Sequence, residues 1–169
     1  MNSNNEVIEF VKKILVLLCF LGMVGCTSTT YSDLRYSKEE TLDMPSDILG
    51  TESELNVDYI DNITVQTADD MVEGVVREIF YDVEALNEEQ QNTFDDIIRA
   101  GLETEYKDYD SVSIDSVVED NKVVVTLNVD IEKAEKEDLS TLGIYDANKT
   151  ENGYPLEDYK QYLESYGYK

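Results

Sequence analysis

The sequence predicts an α+β domain: an antiparallel sheet in β-β-α-β-β-α order with helices packed on one face. Three observations lead there. Residues 111–132 alternate apolar and polar side chains about a central turn, which is the period of a half-buried strand pair. Residues 87–106 switch to the 3.6-residue period of a helix, and the stretch from 156 onward returns to it.

The elements follow in order. Leu55, Val57 and Tyr59, then Ile63 and Val65, share odd parity and read as a first strand. "ADD" at 68–70 reads as a turn, and 71–83 supplies the returning strand of a hairpin. In that second strand Met71, Val75, Ile79, Tyr81 and Val83 lie in register. Val76 and Phe80 fall on its other side, the pattern expected of a strand buried on both faces. Asn87 followed by Gln90 resembles a capping box. Phe94, Ile97, Ile98, Gly101 and Leu102 then form one helical face, with Glu88, Glu89, Asp95, Asp96, Arg99 and Glu103 on a solvated one. Val112, Ile114 and Val118 lead into Asp120–Asn121, a pair that tolerates positive φ in a two-residue turn. Val123, Val125, Leu127, Val129 and Ile131 continue beyond it, and only Val124 breaks their alternation. Residues 134–142 read as a short helix and "NGYP" at 152–155 as a turn. Leu156, Tyr159, Leu163 and Tyr166, with Tyr162 beside them, make the core face of a last helix.

Composition narrows the chemistry. The chain has 169 residues, enough for one domain with appendages. It carries 38 acidic residues against 13 basic ones, a formal charge of −25. Such a charge repels nucleic-acid phosphates and anionic headgroups, so no nucleic-acid partner is expected, whereas a cationic partner is compatible. There is no histidine, which removes the imidazole base a serine nucleophile needs and the usual zinc ligands. No G-x-S-x-G elbow is present. Residues 146–157 place Asp146, Asn148, Thr150 and Glu157 at ligand positions of a calcium loop, but Glu151 stands where that loop needs glycine. No carboxylate is set apart from the solvated majority as a general acid. The sequence therefore assigns no catalytic, cofactor-binding or metal-ligating residue, and no enzyme activity is expected.

The chain's two cysteines, Cys19 and Cys26, both lie near the N-terminus. Lys12–Lys13, an apolar run from Ile14 to Val24, and small residues before Cys26 have the layout of a secretory signal. The run covers roughly 18 Å as a helix, short of the about 30 Å of a bilayer core. Met23-Val24-Gly25-Cys26 resembles the lipobox of bacterial lipoproteins. That resemblance implies a diacylglyceryl group on the Cys26 thiol and cleavage just before it. Two acyl chains give stable anchoring where one gives only marginal binding. Cys19 then leaves with residues 1–25. Glu6, Glu9, Lys12 and Lys13 leave with it and cancel, so the charge stays on the mature chain. Residues 26–54, rich in Ser, Thr, Asp and Glu, are expected to form a lipid-anchored flexible tether, with the α+β domain spanning 55–169.

The order of these features resembles the YehR-like family of bacterial lipoproteins, whose molecular function is unknown. The similarity runs through Cys26, the hairpin around "ADDMVEGVVREIFYDV", the acidic helix, the strands ending "VTLNVDIEKA", and the C-terminal "LEDYKQYLESYGYK". It implies an α+β lipoprotein and carries over no catalytic or binding residue. The expectation is thus a lipoprotein on the extracytoplasmic face of the cell membrane, acting as a binding or interaction module for an envelope protein or cationic partner. The alternatives are a structural envelope protein without a specific ligand, and a carboxylate-based hydrolase.

Overall fold

Two acidic turns fold the chain back on itself and generate the sheet. Asp69–Asp70 (φ 49° and 64°) and Asp120–Asn121 (φ 48° and 60°) all occupy the left-handed region. Two-residue turns of that hand match the twist of the strands they join. The computed structural model describes residues 29–134 and 154–169. It is an α+β fold with a six-stranded antiparallel sheet. The elements are β1 (Tyr31–Met44), α1 (Ser46–Leu49), β2 (Leu55–Ala68), β3 (Met71–Asp82), α2 (Glu88–Tyr106), β4 (Val112–Glu119), β5 (Lys122–Asp130), β6 (Tyr154–Pro155) and α3 (Leu156–Ser165). The strand order is β1-β2-β3-β5-β4, with the short β6 beside the start of β3.

The expected class holds, but the expected order is extended by β1, α1 and β6. The largest correction concerns the flexible tether over 26–54. Tyr31–Met44 is instead a long edge strand, paired with β2 from Tyr31↔Ala68 to Met44↔Leu55. After it, α1 ends at Gly50, whose φ of +63° suits a residue without Cβ, and Leu49 is buried. The second correction concerns β3. Val76 and Phe80 are only half-buried, so this strand has one core face. Third, the "NGYP" turn gives way at Tyr154–Pro155 to a strand pairing with Val72 and Met71. The helix expected over 134–142, apart from Ala134, and the loop ligands Asp146, Asn148 and Thr150 lie outside the described residues.

The core face of the sheet is contacted by both longer helices. Asn87 caps α2 as read from the sequence: its side chain accepts from Gln90 N, and Gln90 Oε1 accepts from Asn87 N. Phe94 of α2 is fully buried and meets Tyr81 edge-on, ring centroids 5.3 Å apart. Tyr159 and Leu163 of α3 are buried as well, facing Ile63, Val75 and Leu127. Tyr166, expected in that core, is 57% exposed, because the helix ends before it.

Leu127 is 3% exposed at the centre of β5. Leu127→Ala is expected to lower unfolding stability by about 2–4 kcal/mol in urea titrations, the loss typical of a buried leucine truncated to alanine.

Candidate functional site

A buried charge interrupts the core face. Asp61 of β2 is 2% exposed, between Tyr59 and Ile63, at a position where alternation calls for an apolar side chain. Its strand register sets it opposite Ile79 and diagonal to Arg77 of β3. Arg77 Nε donates to both carboxylate oxygens at 3.0 Å, and Nη2 donates to Oδ2 at 2.5 Å. The Tyr168 hydroxyl donates to the same Oδ2 at 2.6 Å. Burial works against the Arg77 charge, but the hydrogen bond and negative charge of Asp61 outweigh it, and the guanidinium pKa is raised.

Residues from both ends of the described chain converge here. β1 sends Lys38 and Glu40 inward, and they form an ion pair at 2.5 Å. The Tyr59 hydroxyl donates to Glu40 at 2.6 Å. These bonds from Lys38 and Tyr59 hold the Glu40 carboxyl below its usual pKa. At the C-terminus Gly167, with φ +87°, turns the backbone so that Tyr168 points into the cleft. Lys169 then exchanges backbone hydrogen bonds with Ser37 of β1, at 3.0 and 3.1 Å. Lys38 Nζ lies 5.8 Å from the Tyr168 ring centre. Tyr162 and Tyr166, with rings 4.7 Å apart, line the remaining space, about 240 Å³. The C-terminal tyrosines therefore divide: Tyr154 and Tyr159 are core, Tyr168 holds the ion pair, and Tyr166, expected on the core face, faces solvent.

The opposite face of the sheet is differently built. Glu39, Ile60, Phe80, Val124 and Val117 are successive cross-strand partners and form one row across β1, β2, β3, β5 and β4. Ile60 is 43% exposed and Val117 48% exposed. A groove of about 700 Å³ runs over Ile60 and Phe80, edged by Glu39, Asp58, Asp82 and Lys122. Among the described residues no cluster of three or more carboxylates or cysteines is placed to hold a metal ion.

The lipobox residues Met23, Val24, Gly25 and Cys26 lie outside the described residues. Sequence reasoning missed the Asp61–Arg77 pair, although its signal was present: Asp61 interrupts the apolar odd-numbered run from Leu55 to Val65, and Arg77 interrupts the one from Val75 to Val83. It also missed the open-face row, whose visible trace was Phe80 and Val124 out of phase with their neighbours.

Fold and site together define an α+β domain with a charge-stapled core face and an apolar row on its open face. No family model matches the chain, and no curated protein matches it. Among solved structures it is similar to the NMR structure of the E. coli YehR protein, the namesake of the family resembled by the sequence. The two are 18% identical, with a TM-score of 0.48, over 79% of this chain and 91% of that one.

Two expectations follow from the buried cluster. Arg77→Met strands the Asp61 charge and is expected to destabilise the fold by about 3–5 kcal/mol. Replacing both partners (Asp61→Leu with Arg77→Met) should cost less than the sum of the single changes, which a double-mutant cycle in urea measures. The second concerns alkali. Burial raises the pKa of Tyr59, Tyr159 and Tyr168 above the ordinary 10.0, helped by Glu40 at Tyr59 and by Asp61 at Tyr168. Burial also pushes Tyr162 up to about 12. Above the unfolded value the folded chain keeps protons that the unfolded chain releases. This stabilisation is therefore fully present below about pH 10 and declines as pH rises through the folded values. Tyrosinate absorbance from these phenols should appear together with loss of the circular dichroism of the fold; complete titration near pH 10 with the fold intact would contradict it.

Proposed function

We propose that this chain is a bacterial cell-envelope lipoprotein, acylated at Cys26 and held at the extracytoplasmic face of the cell membrane. Its α+β domain acts as an interaction module through the open face of its sheet. The anchor reading is supported by the Met23-Val24-Gly25-Cys26 run after a short apolar segment. The observation that carries the binding reading is the row from Ile60 to Val117: aliphatic side chains stand exposed at both ends of a lateral stripe on the solvent face, where alternation favours polar residues.

The polar cleft is the less suitable binding site. Asp61 already accepts from Arg77 and Tyr168, and Glu40 from Tyr59, so a ligand there would have to displace internal bonds. The same saturation leaves Asp61 without the isolation a general acid needs.

Cys26→Ser is expected to abolish labelling by a clickable fatty acid, and labelling equal to the parent chain would refute the anchor. A benzophenone side chain at Val117 in cells is expected to give a discrete adduct that the same group at Glu103, on the exposed side of α2, does not give. Equal adduct patterns at the two positions would favour the structural alternative.

A further inference from the structure

We infer that the open-face row binds a cationic amphipathic peptide segment of another protein, with aliphatic side chains on one side and Lys or Arg along its flanks. This rests on the interaction reading above and names the chemistry of the partner. The row is a narrow apolar band. Ile60, Phe80, Val124 and Val117 lie side by side on adjacent strands, so the band spans about 14 Å at the ~4.8 Å strand spacing. That length matches roughly two and a half helical turns at about 5.4 Å per turn.

Both borders of the band are acidic. Asp58, Asp82 and Glu119 share the face on one side, and Glu78 and Asp115 on the other, with Glu39 closing the β1 end. Lys122 is the cation among them. Among the described residues none of these six carboxylates forms an ion pair with Lys or Arg. They differ in this from Asp61, Glu40 and Asp130, which do pair. Asp58, Asp82 and Asp115 accept hydrogen bonds from Thr41 Oγ1, Glu84 N and Ser116 N, which leaves their charge unneutralised. Carboxylates without an ion pair on both sides of an apolar stripe complement a segment that carries cations on both sides of its own stripe.

The same charges argue against the other occupants. A second copy would bring an identical acidic border on a chain that itself has a net charge of −25. An anionic membrane surface would be repelled in the same way.

The test uses the domain-bearing chain with Cys26→Ser and three synthetic peptides of equal length. One is a Lys/Leu peptide with leucines on a single helical stripe; the second replaces each Leu with Ser; the third replaces each Lys with Glu. The Lys/Leu peptide is expected to bind at least about ten-fold more tightly than either of the others. The Ile60→Thr/Val117→Thr pair keeps β-branched residues at exposed strand positions and should weaken this binding by about ten-fold without changing the fold. Glu78→Gln/Asp115→Asn should weaken it and flatten its salt dependence. Equal binding of the Lys/Ser peptide, or unchanged binding to the threonine pair, would reduce the effect to bulk charge and overturn the inference. So would concentration-dependent dimerisation of the parent chain that the threonine pair abolishes. A benzophenone adduct at Val117 with no preference for the Lys/Leu peptide would overturn this inference while leaving the interaction module in place.

Discussion

The fold is organised around one ion pair, a buried Asp61 and a partly buried Arg77. Burying the Asp61 carboxylate removes it from water, a loss of several kcal/mol that only close, multiple hydrogen bonds offset, while the Arg77 side chain keeps 34% of its surface exposed. Asp61 and Arg77 meet that condition through bidentate geometry and a third donor, the Tyr168 hydroxyl. Much of the surrounding structure follows from it. The chain must turn back after α3 to deliver Tyr168, and Gly167 makes that turn. Once there, Lys169 covers part of the outer edge of β1, which would otherwise offer free backbone groups to another strand.

The pair also reports register. Asp61 and Arg77 are diagonal neighbours, a geometry available only when Asp61 faces Ile79 and Ile63 faces Arg77. A slip of one residue would turn one partner to the other face of the sheet and leave both charges unmatched. An all-apolar face would allow neighbouring registers of similar energy; a single charged diagonal does not. The Gln66/Thr67 irregularity lies toward the far end of the same hairpin, away from this lock.

Local chemistry made most of the fold legible from sequence. Asp120–Asn121 announced a left-handed turn, Asn87 and Gln90 a capping box, and the Val123–Ile131 alternation a half-buried strand. β1 was illegible for a specific reason. Its inward residues are Leu34, Tyr36, Lys38, Glu40, Leu42 and Met44, so two charges occupy the middle of the core-facing set. A period-two apolar pattern is broken there, and the stretch reads as a polar tether. Lys38 and Glu40 are tolerated because they sit over Asp61 and Tyr59, residues distant in sequence. The missing strand and the missing site are therefore one omission. The gaps at Asp61 and Arg77 pointed to it, but pairing two gaps required the hairpin register. The open-face row has the same character: Ile60 and Val117 are unremarkable singly, and only lateral alignment over four strands makes them a surface.

The two faces are coupled by that alignment. Ile60 precedes Asp61 on β2, and its partner Phe80 lies three residues beyond Arg77 on β3. The charged diagonal on the inside thus fixes which residue Ile60 meets on the outside. β3 passes the alignment to β5 through Phe80↔Val124, and β5 passes it to β4 through Val124↔Val117. The Asp120–Asn121 turn holds this last pairing in register. An apolar stripe with exposed ends on an antiparallel sheet carries a solubility risk, since it can pair with any apolar surface. Bordering it with six carboxylates against the single cation Lys122 excludes most such surfaces by charge and admits those carrying the opposite sign. The core face uses its charges in ion pairs that hold the register, whereas the open face keeps an excess of carboxylates that selects what approaches.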